Sequence, residues 1–511
     1  MKFARQLMVI CAGIAAAVVG FSVMYACNAA AGGLFLPELS TQLAIEVSPG
    51  PVSSYVIENF GKAGKIGASM FALLVYFVAA ALLALLFDSL RGKLAGRNAF
   101  ERGLVFSAIP LAITTLFVGL AYRLQPAMVE KYNFAASVLS LLLLNGSFGV
   151  VLATFADDSP DDIGGSSAAR AIQRRPFLFA AAVAAGAGSF TLVLTRTLFR
   201  RLLEAVGAPS GSIPSFVTPN VNFYQVSMDV TSPHVDLSRW RLSIAGEVDR
   251  PLQLTYPELA KLPMVEKVIT LECVSNEVGG PLISNARWRG VPLSSLLNQA
   301  GLRPNVREVV LQAADAYSDS IPLELALSPD AMLALYMNGS ELPRDHGFPT
   351  RLLVPGLFGM ENVKWLTGIQ AISGSYRGGY WQTRGWAKFA VVKTMSKISV
   401  PQTGAELSIK DPVMIGGVAF AGSRGIQRVE LSISRGNETE STSWSPVELL
   451  PDGSAITWRL WQFSWRVEKP GTYVLSVRAT DGTGATQIAD SSPIFPSGSS
   501  GYHSIRVRVT G

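Results

Sequence analysis

Five stretches of this chain are long enough and apolar enough to cross a bilayer, and all five fall within the first two hundred residues. They run from Leu7 to about Phe35, Ile66 to Phe87, Gly103 to Tyr122, Tyr132 to Ala156 and Pro176 to Thr195, without a charge in any of them. A spanning helix needs roughly 20 such residues, and in lipid a helix satisfies its own backbone groups. Soluble core helices are seldom this long and uncharged. Residues 1–201 are therefore read as a transmembrane bundle of five helices.

Composition agrees. Of 511 residues, 49% are hydrophobic and only 16% charged, too apolar for a wholly soluble chain. The net charge of +6 would suit nucleic acid. However, the basic residues cluster beside the apolar stretches, with no dense Lys/Arg patch interleaved with aromatics, so nucleic acid is excluded as a partner.

The basic residues set the orientation. Lys2 and Arg5, then Arg91, Lys93, Arg97 and Arg102, then Arg170, Arg174 and Arg175 occupy alternate connections and read as cytoplasmic. Five crossings put everything after Thr195 on the outer side, with Arg196, Arg200 and Arg201 as the contrary signal. The first stretch also reads as a cleavable signal peptide, and Met24-Tyr-Ala-Cys27 as a lipoprotein site. Both alternatives leave the C-terminal part on the same side.

Beyond the apolar third the chain keeps a single cysteine, Cys273, so no disulfide forms within that part. It sits in Ile269-Thr-Leu-Glu-Cys-Val-Ser-Asn-Glu-Val-Gly-Gly, followed by Asn285-Ala-Arg-Trp. A lone thiol at the end of a β-like run is ordinarily a small core residue, but it also suits a metal or a nucleophile. Downstream come Met337-Asn-Gly-Ser-Glu-Leu-Pro-Arg-Asp-His-Gly-Phe-Pro-Thr-Arg and Asn362-Val-Lys-Trp. The surrounding pattern is α+β. Trp240 to Val248 alternates as a strand, Tyr256 to Pro263 and Pro292 to Gly301 read as short helices, and Val309 to Gln312 and Arg351 to Val354 read as buried strands.

Together these motifs resemble the molybdopterin-binding domain of the sulfite oxidase family, over residues 202–390. The resemblance implies molybdopterin with molybdenum as cofactor and Cys273 as the direct metal ligand, a soft donor suited to such a metal. It further implies that Thr218-Pro-Asn-Val-Asn-Phe-Tyr-Gln holds the pterin through Asn222, Tyr224 and Gln225. His346 and Arg351 would contact pterin and phosphate, Arg351 by a bidentate charged contact. Asn362, Val363 and Lys364 match the last cofactor-binding stretch, Tyr317 the active-site tyrosine, and Asp315 a neighbouring pterin contact. One departure is visible. Where sulfite oxidases carry arginines just after the cysteine, this chain has Val274-Ser-Asn-Glu277-Val, and a carboxylate there is a poor neighbour for sulfite.

The cofactor reading gives weight to Gln173-Arg-Arg-Pro-Phe-Leu-Phe, which resembles a twin-arginine export signal. Molybdopterin is inserted in the cytoplasm, so its protein must cross already folded. The source is then bacterial, and the sequons at Asn145, Asn338 and Asn437 carry no meaning.

Residues 391–511 read as all-β. Val413 to Phe420, Ile426 to Ile433 and Thr472 to Ala479 alternate, and turns separate them, as in an immunoglobulin-like sandwich. This segment resembles the dimerisation domain of sulfite oxidases through Val418-Ala-Phe and Trp461-Gln-Phe-Ser-Trp, which implies a homodimer.

The expected protein is a multi-pass enzyme of the bacterial cytoplasmic membrane, transferring oxygen atoms to or from a small oxo-substrate on the outer side. Reduction of sulfoxide-type substrates and a non-enzymatic surface-binding role are the rival readings. The first two hundred residues contain no histidine, no Cys-x-x-Cys-His occurs, and three cysteines cannot hold a four-thiolate cluster plus molybdenum. No haem and no iron–sulfur cluster are therefore expected, and electrons must pass to a separate protein or to quinone.

Overall fold

A computed structural model of the chain describes residues 2–48, 50–94, 97–124, 129, 132–156, 212–228, 232–410, 412–436, 443–451 and 453–511. The fifth apolar stretch and the Arg174–Arg175 pair lie outside the described residues. The chain divides into two compact units, an N-terminal helical one and a larger C-terminal one.

The helical unit contains α1 (Lys2–Ala31), α2 (Leu36–Val47), α3 (Gly50–Leu90), α4 (Ala99–Phe106), α5 (Ala108–Leu124) and α6 (Phe134–Ala156). Among the described residues, four segments are long and apolar enough to span a membrane: Arg5–Asn28, Gly67–Leu90, Ala99–Leu124 and Phe134–Thr154. The first ends earlier than its apolar run suggests. Gly32, at φ +65°, and Gly33 stop α1, and α2 begins at Leu36. The third pauses at Ser107, because Pro110 has no N–H to continue the ladder there. Arg5 at the start of α1 pairs with Asp88 near the end of α3 at 2.9 Å, so these two helices run in opposite directions.

Small residues bring the helices close. A Cβ added at Gly149 of α6 would lie 2.2 Å from the Gly103 carbonyl of α4, and one at Gly13 of α1 2.6 Å from Ala84 of α3. Such contacts replace the hydrophobic drive that lipid does not provide between helices. Phe71, Leu116 and Phe134 point outward, Leu116 with 77% of its surface exposed. That is the surface of a lipid-facing bundle.

The larger unit holds four sheets. One runs β2 (Leu252–Leu254), β1 (Leu242–Gly246), β10 (Leu366–Ile372), β5 (Glu308–Ala313) and β6 (Ser318–Pro322). A second runs β3 (Val265–Glu272), β4 (Ile283–Pro292), β7 (Met332–Met337) and β8 (Ser340–Glu341), with β9 (Arg351–Leu353) also on β7. Short helices α7 (Tyr256–Ala260), α8 (Leu293–Ala300) and α9 (Leu323–Ala326) pack alongside. Thr255 and Glu258 form a capping box that starts α7. Helix α8 buries Leu293, Leu296, Leu297 and Ala300 in the main core, and Gly301 at φ +72° ends it.

From residue 395 the chain is all β. One sheet runs β11 (Met395–Val400), β13 (Val413–Phe420), β17 (Arg459–Trp465) and β16 (Glu448–Leu449). The other runs β12 (Glu406–Ser408), β19 (His503–Thr510), β18 (Gly471–Asp481), β14 (Ile426–Arg435) and β15 (Ser445–Pro446). Ile415 and Trp461 from the first share one core with Leu431, Leu475 and Val507 from the second. A separate apolar cluster joins this region to the preceding one, combining Val274, Phe358, Met360 and Trp386 with Val418, Phe420, Trp458 and Ile494.

Candidate active site

Strands β3 and β4 pair antiparallel from Val265↔Gly290 to Glu272↔Ile283, so Cys273 is the first residue past the ladder. Its N–H donates to the Leu282 carbonyl at 2.9 Å, closing the loop 274–281. Asn276 holds that loop from inside. Its side-chain amide donates to Glu272 Oε1 at 2.9 Å, and its side-chain oxygen accepts the Leu282 N–H at 2.9 Å. The C-terminal β region grips the outside. Ser499 donates to the Asn276 carbonyl at 2.7 Å, Lys397 to the Gly280 carbonyl at 2.8 Å, and the His503 ring fills the space a Cβ at Gly279 would take.

Cys273 opens onto a cavity of about 780 Å³, measured to include its mouth. Tyr224, Gln225, Asp315, Tyr317, His346, Arg351, Asn362, Val363 and Lys364 line it with Cys273. Asn222 alone of the expected residues stands outside: it is exposed, and its N–H turns back to the Pro219 carbonyl. The neighbouring Asn220 contributes instead, since its carbonyl accepts a hydrogen bond from His346 Nε2 at 2.9 Å. Asn362 lines the cavity, but its side chain serves the adjacent loop, accepting from the Val354 N–H at 2.7 Å and donating to the Phe358 carbonyl at 2.8 Å. Glu277 is exposed and does not line the cavity, so it does not exert the local repulsion read from the sequence.

Arg351 is 5% exposed, and its Nε donates to the Asn362 carbonyl at 3.2 Å. No carboxylate pairs with it among the described residues. Burial lowers its pKa to about 10. His346 is pushed down to about 4 by burial, with the Arg351 and Lys364 charges adding to the effect. Because a carbonyl only accepts, neutral His346 carries its proton on Nε2. Lys364 bonds the Ser227 hydroxyl and lies 4.2 Å over the Trp365 ring. Gly347, at φ +117°, lets this turn close, since a Cβ there would come within 3.1 Å of both Arg351 and Lys364.

Across the cavity, Ala316 sits at φ +67° in the β5–β6 turn, a conformation costly for a residue with a side chain. The Asp315 carboxylate accepts the Tyr317 N–H at 3.1 Å and holds the turn. The Tyr317 hydroxyl reaches Asp319 Oδ2 at 3.1 Å and the Met360 carbonyl at 2.9 Å. Burial raises Asp319 to about 6, and burial together with the Asp319 charge raises Glu361 well above the usual carboxylate range. Trp381 and Trp386 complete this wall. Sequence reasoning missed Asn276, Asp319, Glu361 and both tryptophans. The aromatic density of Tyr380-Trp-Gln-Thr-Arg-Gly-Trp was the available signal for the last two.

The donor set fits molybdopterin. It offers one thiol for the metal, a buried guanidinium lacking an anion, and a buried Tyr224 hydroxyl with no partner in the protein. Buried polar groups are ordinarily satisfied, so an orphan hydroxyl beside an unneutralised cation marks a place for a ligand.

Residues 229–381 match the family model described as the oxidoreductase molybdopterin binding domain. The chain is 31% identical over 314 residues to the mitochondrial sulfite oxidase of Rattus norvegicus, covering 52% of this chain and 56% of that one. It is 30% identical over 329 residues to the sulfite oxidase of Gallus gallus, covering 55% and 70%. It is 28% identical over 177 residues to the uncharacterized oxidoreductase YuiH of Bacillus subtilis (strain 168), covering 35% and 87%. Fold and site thus define a molybdopterin-dependent oxidoreductase, and the chain belongs to the sulfite oxidase family. It spans little more than half the length of the mitochondrial relatives it matches.

Proposed function

We propose that this protein catalyses oxygen-atom transfer on a small oxo-substrate, using molybdenum bound to molybdopterin. The observation that carries the reading is Cys273 sharing one cavity with a buried guanidinium that no carboxylate neutralises. When bound, molybdenum supplies the two-electron redox change that accompanies oxygen transfer. The protein's own residues do the rest. Cys273 holds the metal, Arg351 and Lys364 neutralise the phosphate, Tyr224 and Gln225 position the pterin, and Trp381 and Trp386 keep water from the reacting end.

The enzyme is proposed to sit in a bacterial cytoplasmic membrane with five spans, the catalytic domain facing outward after twin-arginine export. The C-terminal sandwich is of immunoglobulin type and serves a homodimer. Electrons leave or enter through a separate protein or quinone, with no haem or iron–sulfur cluster in the chain. The alternating basic loops and the shortage of histidine and cysteine support these readings.

Metal analysis of purified protein tests the central claim. Wild type is expected to contain molybdenum, and Cys273→Ala to lose activity while retaining a folded catalytic domain. Wild-type protein free of molybdenum and tungsten returns the surface-binding reading to first place.

A further inference from the structure

The cavity is asymmetric in charge, and this bears on what it can admit once the cofactor is in place. The inference rests on the cofactor reading above. Among the described residues lining the cavity, Arg351 and Lys364 are the two cations. Both flank Gly347, so they share one end. A phosphate monoester carries about −1.5 to −2 charges at pH 7 and uses both of them.

The opposite end offers no positive charge. Its wall is Tyr317, Met360, Trp381 and Trp386, and the Trp381 and Trp386 rings lie 6.1 Å apart, edge to face. The Tyr317 hydroxyl proton is committed to Asp319 or the Met360 carbonyl, leaving only lone pairs for a guest. Behind it lie two buried acids. Asp319 takes hydrogen bonds from the Ser320 N–H and the Gln382 amide, both at 2.8 Å. Glu361 is 0% exposed, accepts the Ala390 N–H at 2.7 Å, and leaves its second oxygen without a partner. The nearest lysine is already claimed, because Lys388 bonds both Glu308 oxygens at 2.8 Å.

We propose that this cavity selects substrate by charge, admitting an uncharged organic sulfoxide or N-oxide held against Trp381 and Trp386 and excluding oxyanions, with Asp319 and Glu361 as the excluding residues. A dianion at this end would lose its water, meet no cation and face a buried carboxylate. An uncharged oxide loses little hydration and gains aromatic contact for its apolar part.

Fluorescence titration of the purified, full-length, molybdenum-loaded protein tests this. The ligands are methyl phenyl sulfone, an uncharged and unreactive analogue, and sulfate, an unreactive dianion, with ionic strength matched by sodium chloride. The sulfone is expected to change tryptophan emission saturably, and the Trp381→Phe/Trp386→Phe variant to lose that change. Sulfate is expected to bind at least about tenfold more weakly. Asp319→Asn should tighten sulfate about tenfold, on the scale of one removed charge in a partly buried site, and leave the sulfone within about twofold. Glu361→Gln gives a second isosteric variant should Asp319→Asn fold poorly. Sulfate binding as tightly as the sulfone, no binding of either, or both variants shifting the two ligands equally would overturn the proposal. Molybdenum is measured on the same sample. Metal-free protein defeats the cofactor reading and this inference with it, whereas loaded protein that prefers sulfate defeats this inference alone.

Discussion

Arg351 carries a buried charge that no carboxylate in the described structure offsets. Removing one member of a buried pair is destabilising, but here the partner is the missing anion, so the cofactor-free protein bears the desolvation cost. Arg351→Met keeps the volume and removes the charge. It is expected to leave the unfolding temperature of cofactor-free protein equal or higher, while molybdenum content falls at least about tenfold, the scale of one charge-assisted contact. Calorimetry and metal analysis on the same preparations check both halves. His503 makes a second prediction. Its Nδ1 accepts the Ile398 N–H at 3.0 Å, and burial, with Lys397 adding, lowers its pKa to about 4. Between about pH 6.5 and 4 the unfolded chain holds a proton here that the folded chain refuses. Stability from neutral His503 is therefore complete above pH 6.5 and is lost as pH falls towards 4, by about 3 kcal/mol at most. His503→Gln should lose stability less steeply than wild type over that window. Glu272, raised to about 7 by burial, acts in the opposite sense but in both proteins, so the comparison cancels it. Parallel curves of unfolding temperature against pH would rule the assignment out.

Elements meet in this protein where side chains are smallest. Helices α4 and α6 touch through Gly103 and Gly149, where an added Cβ would stand 2.5 and 2.2 Å from the facing carbonyl. Gly149→Leu must push the helices apart and is expected to cost more than about 2 kcal/mol, seen as a lower unfolding temperature in detergent. Gly119→Ala is the control. It lies in α5 with nothing within 4 Å, so the substitution should be neutral or slightly stabilising through helix propensity. The same logic of close approach shapes the Cys273 loop, where Gly279 makes room for the His503 ring.

The molecule as a whole ties catalytic and C-terminal regions into one unit. Thr270 on β3 donates its N–H to the Ile456 carbonyl at 3.1 Å, and its hydroxyl accepts the Trp458 N–H at 2.8 Å. Their shared apolar cluster contains Val274, next to the metal-binding cysteine. Truncation after Ala390 would bare Val274, Phe358 and Trp386 and release the Cys273 loop from Ser499, Lys397 and His503. Several large apolar side chains at about 1.5–3 kcal/mol each is more than a domain's usual margin. The truncated protein is expected to aggregate or to purify without molybdenum, as size-exclusion chromatography and metal analysis would reveal. A soluble, loaded fragment would show that the two regions fold independently.

What the sequence determined by itself was short-range. Four of the apolar runs became long helices because lipid-length hydrophobicity is a local property. Cys273, His346, Arg351 and Lys364 were legible because each sits in a compact motif whose turn chemistry fixes it locally. The alternating runs of the C-terminal third became strands for the same reason. Tertiary structure decided which of these residues converge, and it left Asn222 outside the cavity and Glu277 in solvent. It also decided what surrounds them. Trp381, Asp319 and Glu361 reach the cavity from separate elements, and Ser499 steadies the Cys273 loop from 223 residues beyond Asn276. Contacts of that span leave no periodicity to read, because they depend on how sheets stack rather than on what precedes or follows in the chain. The charge of the substrate end is a sum over such contacts, so it becomes visible only in the folded protein.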